Sequence, residues 1–248
     1  TASYNVAIGD SALYANTTGA SNVAVGTFAL DASSTGAKNT AVGHQALTTT
    51  TTGAENVGIG FQALYSNTTG ATNVAMGDEA LHANSTGGQN TAIGSGALKA
   101  NTTAGENTAI GRRALAANTT GSLNTAVGRF AFGNHALGSN TTAIESCAFG
   151  LSSLGSATSG GYNTAYGRSS LSGNTTGYNN TAVGHRAASG ITTAHNCTIL
   201  GKSSGGGITT GYSNISIGYD VMSGAVTGNQ NVYIGQSNGD SGISGSNN

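Results

Sequence analysis

The sequence predicts an all-β protein, a parallel β-solenoid of about fourteen coils of seventeen residues each, on three observations. A glycine returns with a lag of seventeen at Gly9, Gly26, Gly43, Gly60, Gly77, Gly94, Gly111 and Gly128, and again at Gly167, Gly184, Gly201, Gly218 and Gly235. The residues before it alternate at period two, as in Val23-Ala24-Val25 and Thr108-Ala109-Ile110. The composition is far from that of an average domain, with 41 Gly, no Pro, no Trp and 7% charged residues, yet the net charge is only −1 and branched residues recur on schedule. A fixed period with too little apolar content per unit for a core of its own means stacked repeats, not disorder.

Each part of the unit has its own local reason. The two β-branched positions favour a short strand with their side chains on one face and Ala on the other. Gly ends the strand. An Ala-Leu segment follows and supplies one large apolar side chain per unit at Leu13, Leu30, Leu47, Leu64, Leu81, Leu98 and Leu115, with Phe132 and Phe149 in the same role. Asn-Thr-Thr-Gly closes the coil, because Asn and Gly tolerate positive φ and threonine hydroxyls bond nearby backbone. Helical repeats would need ten or more residues at period 3.6, and none appears. Successive coils then stack about 4.8 Å apart.

One coil buries few large side chains, so a single chain looks under-cored. A flat row of Ala24, Ala41, Ala75, Ala92, Ala109 and Ala126, continued by Ala7, Ala143, Ala165 and Ala182, is expected to let neighbouring chains approach and bury a second face. The slot after Gly128 falls on Glu145, which places a five-residue insertion within 146–162. The expected segments are regular coils over 1–144, an irregular coil over 145–162, a second run of coils over 163–238 and a tail or linker over 239–248. The last coils carry Ile199, Ser216 and Tyr233 in the alanine slot, and Ala188, Gly205, Met222 and Gly239 in the leucine slot; with alanine lining the contact between chains, Ile199 and Tyr233 predict a looser or differently packed end.

The repeated strings "NVAIG" (5–9), "NVAVG" (22–26), "NTAVG" (39–43) and "NTAIG" (90–94 and 107–111) resemble the Asn-Ser-Val-Ala-Ile-Gly repeat of trimeric autotransporter adhesin heads, the YadA-like family. The longer unit resembles repeats of phage and viral tail fibres. The resemblance implies a left-handed β-roll forming an intertwined or side-by-side homotrimer, with Val and Ile inside each roll and Ala toward the partner chains. It implies adhesion to a host-surface glycan or matrix protein, an extracellular location on a cell, appendage or virion, and no catalysis. The coil is longer than in the adhesins, and no coiled-coil stalk or anchor barrel accompanies it.

Chemistry-bearing residues are sparse. His44, His82, His135, His185 and His195 sit at variable or turn positions without metal-ligand spacing, and the nine acidic residues do not cluster, so neither metal nor cofactor is expected. No glycine precedes a helix that could hold a phosphate. Nucleic acid is not an expected partner. No run of eighteen apolar residues could span a membrane, the first ten residues lack a signal-peptide pattern, and residue 1 already lies inside the repeat, so the chain reads as a mature product or an excised part. Cys147 and Cys197 lie too far apart in a stack to be bridged and read as free, small apolar residues.

Three features could carry function. Arg112, Arg113, Arg129, Arg168, Arg186 and Lys202 follow the repeat glycine and are expected to align into a basic stripe for acidic glycans, with Glu145 partly neutralising it. The residues of 145–162 are expected to bulge as a binding loop. Asn16, Asn67, Asn84, Asn101, Asn118 and Asn174, with Asn140, are candidate glycosylation sites by their Asn-x-Ser/Thr pattern. Paired threonines form ladders, and a flat threonine array is what an ice-binding face needs, but adjacent threonines point to different sides, so only one rank faces water and the feature argues weakly for ice. The alternatives to an adhesive fibre are a self-assembling, glycosylatable filament, a polysaccharide-degrading tailspike and an ice-binding protein.

Overall fold

The computed structural model describes residues 2–132, 142–239 and 243–248. It is a parallel β-solenoid in two compact units, Thr1–Leu123 and Asn124–Asn248. The first unit contains β1 (Val6–Ile8), β2 (Val23–Val25), β3 (Thr40–Val42), β4 (Val57–Ile59), β5 (Val74–Met76), β6 (Thr91–Ile93) and β7 (Thr108–Ile110). The second contains β8 (Thr125–Val127), β9 (Cys147–Phe149), β10 (Thr164–Tyr166), β11 (Thr181–Val183), β12 (Thr198–Leu200), β13 (Ile215–Tyr219) and β14 (Val232–Gln236). Within each unit every strand pairs in parallel with the next, and equivalent letters face each other: Val23 with Thr40, Ala24 with Ala41, Val25 with Val42.

The repeat glycine is required by both conformation and space. Gly43 has φ +133°, and a Cβ there would lie 2.5 Å from the Gly60 carbonyl oxygen of the next coil. The turn glycine has a different reason from the one expected. Gly53 does not have positive φ; its Cβ would lie 2.5 Å from the Gly70 oxygen, so close approach alone selects it. Left-handed backbone falls instead on ordinary residues, three per coil, as at Gln45, Leu47 and Glu55 (φ 57°, 53° and 60°). The neighbouring coils hold them there: Gln45 N–H donates to Thr27 O at 2.9 Å and Leu47 N–H to Ala63 O at 2.9 Å.

The leucine row is inside as predicted, with Leu30, Leu47, Leu64, Leu81, Leu98 and Leu115 fully buried. The alanine row is also inside, and this overturns its expected role as a chain-to-chain contact. Ala24, Ala41, Ala75, Ala92, Ala109 and Ala126 are all 0% exposed within one chain. The coil is too narrow for two branched side chains opposite leucine, so the strand turns its small residue inward and its branched residues outward. Val42, Met76, Ile93 and Ile110 are accordingly 36–40% exposed.

Asparagine fills much of the remaining interior, with Ser33, Thr50, Ala157, Ile191 and Ile208 in its turn slot in other coils. At the strand entry, Asn73 Oδ1 accepts from the main-chain N–H of Asn90 (3.0 Å) and from its Nδ2 (3.1 Å), while Asn73 Nδ2 donates to Asn56 Oδ1 (3.1 Å) and Gly87 O (2.9 Å). A second ladder runs through the turns: Asn84 Nδ2 donates to Asn67 Oδ1, Asn101 to Asn84 and Asn118 to Asn101 at 2.9–3.0 Å. Both ladders are buried.

The insertion lies elsewhere than expected. Thr125 pairs with Cys147 and Val127 with Phe149, whereas Cys147 pairs with Thr164 at the ordinary lag. The five extra residues therefore precede Ser146, and 146–162 is a regular coil in place of the irregular segment assigned to 145–162. Gly150, with φ +124°, holds the repeat-glycine slot assigned to Glu145. Ala148 takes the alanine slot assigned to Ala143, and Leu154, not Phe149, is the buried large residue of that coil. No bulged binding loop exists there.

The last coils exchange volumes across the interior. Ile199 fills the alanine slot where Gly205 replaces leucine, and a Cβ on Gly205 would meet Ile199 Cγ2 at 2.9 Å. Tyr233 and Gly239 repeat the exchange, with the glycine's Cβ position 3.2 Å from Tyr233 Cδ1. The end is thus differently packed, but inside one chain's coil and not at the contact between chains that the expectation concerned, with Ile199 at 0% exposure.

Replacing Asn73 by Ala leaves the buried Asn90 N–H without its acceptor and is expected to cost about 2–3 kcal/mol in urea unfolding, against about 0.5 kcal/mol or less for Glu106→Ala. Burial holds the His82 imidazole below its ordinary pKa of 6.5, with Glu79 opposing that shift and Lys99 adding to it. The unfolded chain then binds the extra proton first, so this contribution is present above pH 6.5 and is lost as pH falls toward the folded pKa. His82→Gln is expected to flatten the acid side of the stability–pH curve measured by thermal unfolding.

Candidate functional site

Outward slots carry the charge, and in the second unit they border a groove. The two residues after the repeat glycine form one bank: Arg129-Phe130, Leu151-Ser152, Arg168-Ser169, His185-Arg186 and Lys202-Ser203. Their direction follows from the coil. The second of each pair sits in left-handed backbone, as at Arg186 (φ 59°), and its N–H bonds the carbonyl of the first slot one coil earlier, Arg186 N–H to Arg168 O at 2.9 Å. The opposite bank is the slot after the buried leucine, with Gly155, Ser172, Ser189 and Gly206.

Three shallow clefts follow one another between these banks. The first, of about 600 Å³, is lined by Arg129, Leu151, Ser152, Arg168 and Ser172 among others. The second, of about 450 Å³, shares Arg168 and adds His185, Arg186 and Ser189. The third, of about 280 Å³, shares Arg186 and Ser189 and adds Ser203 and Asp220. Arg129 lies over the Phe130 ring with its guanidinium carbon 4.7 Å from the centroid, and Lys202 Nζ is 5.3 Å from the Tyr219 ring. These ring contacts orient two of the cations by attraction to the aromatic face. Guanidinium forks beside serine hydroxyls suit sulfate and carboxylate groups spaced along a chain.

Of the predicted stripe, the structure brings Arg129, Arg168 and Arg186 into this groove, with Lys202 held over Tyr219 one coil beyond. Arg112 and Arg113 occupy the same two slots in the first unit, after the acidic pair Asp78-Glu79. Glu145 does not interrupt the stripe; it precedes the strand-entry residue Ser146 in left-handed backbone (φ 51°). The residue between Arg129 and Arg168 is Leu151. The groove serines went unnoticed in the sequence, although their spacing by multiples of seventeen at Ser152, Ser169 and Ser203, and by seventeen at Ser172 and Ser189, was available as a signal.

Five of the glycosylation sites are excluded by geometry. Asn67, Asn84, Asn101, Asn118 and Asn174 are 0% exposed, and each side-chain nitrogen, the atom a sugar would have to occupy, donates a buried hydrogen bond. Asn16 Nδ2 is likewise engaged with Gly19 O at 3.0 Å. Asn140 and His135 lie outside the described residues. The threonine pairs divide as expected: Thr68 Oγ1 donates to Ser85 O at 3.0 Å, and the next threonine, Thr69, is the exposed one.

The cysteines are free, but only Cys197 is buried, and Cys147 is exposed. Burial pushes the Cys197 thiol up, against weaker opposing hydrogen bonds from Asn214 and Ser213. Cys197 takes an asparagine slot: its N–H donates to Asn180 Oδ1 at 3.0 Å, and its Sγ reaches Gly211 O at 3.5 Å. Among the described residues no group of three or more His, Cys, Asp and Glu is placed to hold a metal, and no helix is long and apolar enough to cross a membrane. Comparison with known proteins returns no matching family model, curated protein or solved structure.

Arg129, Arg168 and Arg186 changed together to Ala are expected to weaken binding of a sulfated polysaccharide about tenfold or more at low salt. The wild-type affinity should fall as salt rises from about 50 to 300 mM. Surface plasmon resonance on immobilised polysaccharide reads both, and equal binding by the triple variant sinks the groove.

Proposed function

We propose that this chain is a non-enzymatic, adhesive segment of an extracellular fibre, working as a homotrimer like the adhesin heads and tail fibres its repeat resembles. One observation carries the reading: the slots that face inward are nearly uniform from coil to coil and the outer strand face keeps mostly branched residues, while the outward slots beyond the strand vary freely. A scaffold of this kind spends its sequence constraints on stacking and leaves its surface open to change. Ligand binding through such a surface needs no pocket chemistry, only the repetition of groups at sheet spacing.

The association of chains follows from the exposed strand face. Parallel sheets are usually covered on both faces, yet here the outward side presents Val42, Met76, Ile93 and Ile110 at 36–40% exposure. The slot one pleat away holds threonine or valine, as at Thr40, Val74, Thr91 and Thr108. A second and third copy of the same ladder would cover it, burying branched side chains against each other and supplying the second core that one thin coil lacks. This contact uses the opposite face of the strands from the alanine row.

The mass of the intact particle tests this reading. Three chain masses are expected by multi-angle light scattering or native mass spectrometry, whereas a monomer sinks the trimer and an open polymer supports a filament. Ile93→Asp with Ile110→Asp is expected to yield folded monomers, since both side chains are outside the coil; an unchanged mass would show that the strand face is not the contact.

A further inference from the structure

The slot two residues before the strand-entry asparagine is occupied in the second unit by Ile144, Gly161, Tyr178, His195 and Tyr212. The last three form a stack: Tyr178 and His195 have ring centroids 4.7 Å apart at 8°, and His195 and Tyr212 are 5.1 Å apart at 9°. The coils beneath them are in register, because Tyr162 N–H donates to Ile144 O (3.0 Å), Asn179 N–H to Gly161 O (3.2 Å) and Asn196 N–H to Tyr178 O (3.1 Å). The column therefore continues past Tyr178, but at Gly161 it has no side chain; a Cβ there would lie 2.9 Å from Ile144 O and 3.2 Å from Ile144 Cγ1, so Ile144 floors the gap from the far side. Two sheet spacings, about 9.6 Å, separate the Ile144 and Tyr178 backbones. One member is missing from a stack of rings.

The gap opens into a cleft of about 630 Å³, which Ile144, Gly161, Tyr162 and Tyr178 line together with the polar rim of Ser159, Thr176 and Asn179. Both tyrosines are exposed, Tyr162 at 50% and Tyr178 at 43%. The Tyr178 ring is braced from behind by His195, so its open face is already in place. Asn179 donates to Asn196 Oδ1 at 3.2 Å, and its own amide oxygen retains acceptor capacity.

We propose that this cleft binds a single neutral hexopyranose ring, free or within a glycan, stacked on Tyr178 in the place of the missing ring. A pyranose presents axial C–H groups on its face and hydroxyls around its edge. The negative face of an aromatic ring attracts the former, and the rim of Ser159, Thr176 and Asn179 meets the latter. A flat apolar ring would desolvate that rim without returning hydrogen bonds. No Lys, Arg, Asp or Glu lines the cleft, and Glu145, adjacent in sequence to Ile144, opposes an anionic sugar. The site is thus distinct in ligand from the basic groove, and its biological sense rests on the adhesive reading.

Saturation-transfer NMR with methyl β-glucopyranoside and methyl β-galactopyranoside, followed by calorimetry with neutral hexasaccharides, tests the assignment. At least one methyl glycoside is expected to bind with Kd of about 1–10 mM, as suits one small ring, with saturation strongest on its axial protons. A hexasaccharide that binds no better than the glycoside assigns a terminal or free sugar, and tighter binding assigns a glycan interior. Tyr178→Ala should weaken binding about tenfold or more. Alanine occupies this slot at Ala20, Ala37, Ala54 and Ala71, so the variant keeps a residue the coil accepts. Gly161→His, which inserts the residue the same column holds at His195, should close the gap and abolish binding, with circular dichroism confirming the fold. Wild-type protein that binds none of these sugars, or binding that survives Gly161→His, overturns the proposal. Loss of attachment to cells with sugar binding intact would count against the adhesive reading and leave the cleft standing.

Discussion

The strand-entry asparagine ladder is the constraint on which the other features depend. Each carboxamide in a run such as Asn56, Asn73 and Asn90 accepts from the next coil's main chain and donates to that coil's turn, inside a core that excludes water. Such groups are costly to leave unpaired. The ladder is satisfied only when coils are equal in length and in register, because a slip by one residue would strand a buried amide in every coil. That explains why the lag of seventeen returns after five extra residues, with Asn124 Oδ1 taking Ser146 N–H at 3.1 Å. Serine and cysteine enter this column only where they can still make the bonds, as Ser146 Oγ does toward Asn163 N–H.

Around that ladder the interior conserves volume more strictly than residue type. Alanine faces leucine in most coils, but isoleucine faces glycine at Ile199 and Gly205, and tyrosine faces glycine at Tyr233 and Gly239. The width of the coil is set by the turns, so a large side chain on one wall demands a small one on the other. A core this thin has one consequence at the surface. Branched side chains that a wider coil would bury are expelled to the outer face, the surface that the proposed association of chains would cover.

The outer slots carry whatever function the chain has, and their physics is repetition. Cations, hydroxyls or rings that share a slot in neighbouring coils lie about one sheet spacing apart, so charges form a groove and aromatic rings form a stack. The basic groove and the gap in the Tyr178 column arise from the same device with different letters. Variation in one outward slot leaves the stacking bonds untouched.

The sequence by itself determined the solenoid, its coil length, the parallel register and the inward leucine, because each depends on spacing and local preference that are written in every copy. It also located the basic slots. Only the tertiary structure decided which face of a three-residue strand points in: Val-Ala-Val reads the same from either side, and the choice follows from the width of the coil. Local preference also misassigned the left-handed positions. Intercoil hydrogen bonds impose them on Leu47 and Glu55, residues with no such inclination, while the turn glycine is kept for closeness alone. The insertion was misplaced because "NTTAIES" imitates the unit one slot early, a degeneracy that pairing between strands resolves. A missing ring in a column is invisible along the chain, since it exists only where coils lie over one another.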